Sequence, residues 1–305
     1  MKTHVLRLVG IFILSWHYTM AQNSFLVLGG ATSSGYRDGA VTPLSKEQSF
    51  VQLFLQQAGQ VGFQSGGVQT PELTWSENST ATAPIPAFSP RSSSILLWPF
   101  FQIGQLGSRK LHLPESPVYQ PFFRGLVTAE ESSKSVLEII DTRKFSHFIV
   151  EFGVQDYWEF ISSTGRKKRM GGLETFALRY IQLLKLVSSR GKGMVANLPN
   201  LSDIPAARSY AGLGFWNDYQ NIVEFQAQQA GIPVVDVRHL FASITNGAYR
   251  TPQGNQVSAG QFFAQDQLNL SPLGQLILAD LFIETWNRNH TPKFPRLNLD
   301  ANLRP

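Results

Sequence analysis

The chain has 305 residues, of which 43% are hydrophobic, 12% aromatic and only 15% charged. Too much of it seeks burial for a disordered or solvating protein. The net charge of +5 is carried by scattered residues, which excludes a nucleic-acid-binding surface. Cysteine is absent, removing disulfides, thiol catalysis and cysteine-ligated zinc.

Residues 1–21 have the order of a signal peptide: Lys2 and Arg7, an apolar run from Leu8 to Trp16, then Thr19-Met20-Ala21. The run is far short of the ~20 residues a membrane-spanning helix needs. Cleavage after Ala21 would make Gln22 the N-terminus and leave a net charge of +3. No later stretch is apolar enough to span a bilayer. Export without cysteine suits a bacterial periplasm or outer surface.

Phe25–Leu28 followed by Gly29-Gly30 reads as a buried strand entering a tight turn. Ser49–Ala58 carries apolar residues at helical spacing, and Gly59 stops it. Residues 60–125 are rich in Pro, Ser, Thr, Gly and aromatics, with a candidate strand at Ser94–Trp98, and read as a long irregular insertion. Ser133–Ile140 predicts a helix, and His147–Phe152 a buried strand leading to Gly153-Val154-Gln155-Asp156. The basic run Arg166–Arg169 precedes an amphipathic helix over Leu173–Val187. Met194–Asn197 and Pro233–Val237 predict strands, with a helix over Asn217–Ala230 between them. Ser271–Trp286 closes the pattern as a helix with Ser271 as N-cap and Pro272 in its first turn. Alternating strands and helices point to one α/β domain over 22–305, with a parallel sheet covered on both faces.

Three segments carry a family resemblance. Gly29-Gly30-Ala31-Thr32-Ser33-Ser34-Gly35-Tyr36 resembles the first block of the SGNH/GDSL hydrolases, usually Gly-Asp-Ser-Leu-(Thr/Ser)-x-Gly-Tyr. Gly153-Val154-Gln155-Asp156 is similar to their third block, Gly-x-Asn-Asp. Asp266-Gln267-Leu268-Asn269 before Ser271-Pro272-Leu273-Gly274 resembles their last, Asp-x-x-His. Ala196–Asn200 with Ile204-Pro205 resembles a strand-and-loop segment of secreted bacterial members, and Gly125 is the best match to the second-block oxyanion glycine. The resemblance spans 25–287 and implies a flavodoxin-like three-layer α/β/α fold with a central parallel sheet.

The departures from that pattern bear on function. The nucleophile position is Ala31 and the residue before it Gly30; the oxyanion Asn is Gln155, and the base His is Asn269. The Asp that orients the base remains as Asp266. A methyl group cannot attack a carbonyl, and a carboxamide takes no proton near neutral pH. The resemblance therefore implies no SGNH-type ester hydrolysis. It implies instead a binding or accessory role in a bacterial envelope, through a vestigial pocket of Gly30, Ala31, Gly125, Gln155, Asp156, Asp266 and Asn269.

Such a pocket suits a glycan or acyl ligand, or an envelope or outer-membrane protein as partner. The competing reading is an active carboxylic-ester or acetyl-ester hydrolase with a relocated nucleophile, Ser33 or Ser34. That reading needs a base, and His112, His147, His239 and His290 each lack a neighbouring motif. Asp38, Asp156 and Asp266 come from segments that converge in this fold, and capping of loop backbone is their expected role. No residue spacing suggests a metal site, and no cofactor is expected. The aromatics of the insertion (Trp75, Phe88, Trp98, Phe100, Phe101, Phe122, Phe123) either pack on the domain or form a partner surface.

Overall fold

The computed structural model describes residues 24–38, 40–61, 73–74, 103, 106–109, 129–131, 133–153, 172–211 and 216–303. Residues 1–23, most of the insertion (with Ser94–Trp98, His112 and Gly125), the Gln155–Asp156 pair and the basic run lie outside these residues.

Strand β1 (Phe25–Gly29) is buried along its whole length, as a continuous apolar run in a parallel sheet must be. A single helical turn follows, α1 (Ala31–Ser34), ended by Gly35 at φ 75°. A side chain at Gly35 would strike the Ser45 carbonyl, so this turn requires glycine. Strand β2 (Ala40–Val41) leads into α2 (Pro43–Glu47), which starts with a Thr42–Ser45 capping box, and then α3 (Phe50–Gly59), capped by Ser49. Strand β3 (Leu73–Thr74) pairs antiparallel with β2.

Helix α4 (Val136–Thr142) opens on a Ser135–Glu138 capping box and delivers the chain to β4 (His147–Glu151). Helix α5 (Gly172–Ser188), β5 (Lys192–Ala196), α6 (Trp216–Gln229) and β6 (Val234–Val235) complete the alternation. The main sheet has the order β1-β4-β5-β6, and every pairing in it is parallel.

One expectation is corrected here. The stretch Pro233–Val237 is strand only at Val234–Val235. Asp236 leaves the sheet and caps α7 (Val237–Thr245), its Oδ1 accepting the His239 N–H at 3.0 Å. Val237, Leu240, Phe241 and Ile244 form the buried stripe of that helix, so Val237 opens a 3.6-residue period rather than closing a two-residue one.

After α8 (Ala259–Phe262) comes α9 (Pro272–Asn289), capped by Ser271 and followed by a tail that returns along it. Helices α3 and α9 pack together, as do α5 and α6, giving two helical layers around the sheet. Buried Gln275 ties the first layer to the strand-end turn: it accepts the Phe50 N–H at 2.8 Å and donates to the Thr32 carbonyl at 3.1 Å. At the N-terminal ends of the strands, Trp286 lies among Phe25, Phe54, His147 and Phe294 and is fully buried. Its indole N–H donates to the Pro292 carbonyl at 2.9 Å, and Asp280 beside the returning tail holds Arg296 in a two-point ion pair. Each such ring removed from water contributes about 2–3 kcal/mol.

Candidate functional site

At the opposite, C-terminal ends of the strands, the turn after β1 and the loop before α9 meet. The Asp38 N–H donates to Asp266 Oδ2 at 2.8 Å, and the Asp266 N–H donates back to Asp38 Oδ1 at 3.0 Å. Asp266 Oδ1 also accepts the backbone N–H groups of Leu268 (2.9 Å) and Asn269 (2.8 Å), while its Oδ2 accepts the Asn269 side-chain amide at 2.9 Å. Partial burial alone would raise the Asp266 pKa. The N–H groups of Asn269, Leu268 and Asp38 outweigh it and hold the carboxyl below its usual range. Asp266 and Asp38 thus cap loop backbone, and the Asp266 charge orients Asn269.

Between these segments lies a cavity of about 120 Å³. Gly30, Ala31, Tyr36 and Asn269 line it from the two facing loops, and Ala196–Pro199 from the end of β5. Its wall is largely apolar, with Phe152, Leu198, Val237, Phe241 and Leu270 contributing. The β5 loop is held from below. Asn197, buried, donates to Glu224 and Asp236 at 2.9 Å each and accepts the Arg238 N–H at 2.9 Å. Gln220 and the Trp216 indole N–H donate to the Pro199 carbonyl. These anchors explain why Asn197 and Asn200 flank a proline in the sequence: the loop is fixed rather than free.

Ser33 and Ser34 are both fully buried. The Ser34 hydroxyl donates to the Ala31 carbonyl at 2.7 Å, as a serine one turn along a helix does. The Ser33 hydroxyl donates to Glu151 Oε2 at 2.7 Å, and the Gly30 N–H donates to the same oxygen at 3.1 Å. Neither hydroxyl lines the cavity. Of the described histidines, His147 and His290 belong to the other end of the sheet, where His290 bonds the Gly193 carbonyl, and His239 is exposed on α7.

Glu151 is the residue that sequence reading missed. It ends β4 as the one acid in the apolar run His147–Phe152, lines the cavity, and occupies the Gly30 N–H beside Ala31. Burial pushes its pKa up, opposed by the bonds from Ser33 and Gly30; among the described residues no cation offsets the burial. A lone acid in an otherwise apolar buried strand was the available signal.

No protein-family model and no curated protein sequence matches the chain. Solved structures match its shape. LAE5, an alpha/beta hydrolase enzyme from the metagenome of Lake Arreo, is 14% identical with a TM-score of 0.50, covering 87% of this chain and 95% of its own. A putative GDSL-like lipase from Parabacteroides merdae is 10% identical with the same TM-score and the same coverage of 87% and 95%. A catalytic mutant of Axe2, an acetylxylan esterase from Geobacillus stearothermophilus, is 13% identical with a TM-score of 0.50 over 87% of this chain and 94% of that one. Together with the parallel sheet between two helical layers, these matches give the chain an SGNH/GDSL-hydrolase-like fold.

Proposed function

We propose that this chain is a catalytically inactive protein of SGNH/GDSL-hydrolase-like fold that acts by binding, as an accessory subunit in the envelope of a Gram-negative-type bacterium. The observation that carries this reading is the pair Ala31 and Asn269, which line one cavity while Asp266 holds the Asn269 amide as it would hold an imidazole. A methyl group and a carboxamide face each other where attack and proton transfer would need a hydroxyl and a base. The structural neighbours named as esterases support ester cleavage as the chemistry such a cavity serves when those groups are present. The leader at 1–21 supports export to the periplasm or outer surface. Among the described residues no helix is long and apolar enough to cross a membrane.

Short-chain aryl esters and a fluorophosphonate probe test the proposal. The expected result is no turnover above buffer and no covalent label. Turnover that disappears in Ser33→Ala or Ser34→Ala would sink it. That outcome would favour the second reading, an ester hydrolase with a relocated nucleophile, for which one observation speaks: the Ser33 hydroxyl sits on a carboxyl at 2.7 Å. Its burial speaks against it, because no substrate carbonyl reaches a fully enclosed oxygen.

A further inference from the structure

Two oxygens in the cavity wall are left over after the internal bonds are counted. Glu151 Oε2 takes both the Ser33 hydroxyl and the Gly30 N–H. The Ser33 backbone N–H also bonds the carboxyl, and Oε1 has no side-chain donor among the described residues. The orientation of Asn269 follows from its partner. The Asp266 carboxylate can only accept, so the side-chain NH₂ must face it and Oδ1 must face away. That oxygen likewise has no donor among the described residues.

Two donors of the site are already engaged. The Gly30 N–H is held by Glu151, and the Asn197 side-chain NH₂ is held by Glu224 and Asp236. An ester-cleaving site needs the reverse, donors aimed at a developing oxyanion. The described wall therefore offers two acceptors, one of them ionisable, beside the unbonded N–H groups of Ala31 and Thr32 at the start of α1.

We propose that this cavity binds a small primary amine, its ammonium group held by Glu151 and Asn269 and its hydrocarbon body packed against Phe152, Leu198, Val237 and Leu270. This rests on the inactive-binding reading of the same site. An ammonium brings three donors and no acceptor, which matches the two leftover oxygens; a carboxylate or ester carbonyl brings acceptors only and leaves those two oxygens unpaired. A dry cavity of 150 Å³ accommodates benzene, so about 120 Å³ suits a ligand of roughly five non-hydrogen atoms. Charge on Glu151, disfavoured by burial, is compensated by a bound cation.

The test compares n-butylammonium, n-butanol and butyrate by calorimetric or NMR titration of the leaderless chain at pH 7.5. Butylammonium is expected to bind at least tenfold more tightly than either analogue. Glu151→Gln, which keeps an acceptor for Ser33 and Gly30, is expected to lower amine affinity at least tenfold and leave butanol unchanged. Equal or tighter binding of butanol or butyrate overturns the proposal, as does full amine binding in the variant. The wild-type comparison decides even if the variant fails to fold. An aryl-ester assay on the same preparation separates the two readings: turnover overturns both, whereas an inert protein that ignores butylammonium overturns only the amine assignment.

Discussion

Asp38 and Asp266, 228 positions apart, each cap the other's backbone N–H, at 2.8 and 3.0 Å. Asp266 is compensated by three backbone N–H groups and the Asn269 amide, and Asp38 lies in the field of the Arg37 guanidinium. Asp38 holds φ at 49°, a left-handed conformation that Asp and Asn reach more readily than other side-chain-bearing residues. Asp38→Gly removes the acceptor without backbone strain and is expected to cost about 1 kcal/mol in urea unfolding. Asp38→Asn keeps an acceptor and should stay within ~0.5 kcal/mol of wild type. Equal losses in both would mean that charge, not the capping bond, holds the two loops.

Restoring the missing pair, Ala31→Ser with Asn269→His, asks whether the cavity is otherwise equipped for ester cleavage. Little activity is expected, because Glu151 still occupies the Gly30 N–H, and Gln155 stands where the resemblance calls for an Asn. Aryl-acetate turnover should rise less than tenfold above background, against the ~10⁶-fold that such a pair supplies in a well-studied protease. Adding Glu151→Gln to the double variant should not lower what is gained; a large rise before that third change would show the defect confined to two side chains.

Gly29 closes β1 directly beneath Ser33. A Cβ added there would overlap the Ser33 Cβ and Oγ. Gly29→Ala is therefore expected to destabilise by about 1–3 kcal/mol, as overpacking does. Pairing it with Ser33→Gly should recover part of the loss, whereas pairing with Ser33→Ala should not, since the Cβ clash persists. Thermal and urea unfolding of six proteins, with the Ser33→Gly and Ser33→Ala single variants included, would read the coupling.

His147 carries the acid sensitivity. Burial, with help from the charges of His290 and Lys192, lowers its pKa from 6.5 to about 4. The unfolded chain thus takes up a proton that the folded chain refuses. Its contribution to stability is complete above pH 6.5 and is lost progressively as pH falls towards 4. His290 is shifted the same way, chiefly by burial. Urea midpoints should fall over this window, less steeply in His147→Gln and least in His147→Gln/His290→Gln; identical slopes in all three would remove the histidines from the account.

Much of the fold was legible because its signals are local. The run Phe25–Leu28 can be a buried parallel strand or little else, and Ser271-Pro272 announces a helix start through the chemistry of the first turn. The turn after β1 and the loop before α9 were also readable, through residues matching a known pattern, and Ala31 and Asn269 do line one cavity. Two features were not legible. Val237 sits where a strand pattern and a helix pattern overlap, and only the bond from the His239 N–H to Asp236 decides between them. Glu151 belongs to no motif; its meaning comes from Ser33 and Gly30, more than 115 positions earlier in the chain, and no spacing rule joins them.

The separation of the two ends of the sheet has a practical side. Trp286 sits in the sealed aromatic cluster, while Trp216 holds the carbonyl of Pro199 at the cavity rim. Variants retaining one indole apiece would turn the pair into independent fluorophores: emission from position 286 would track melting of the interior, and emission from position 216 would register occupancy next door.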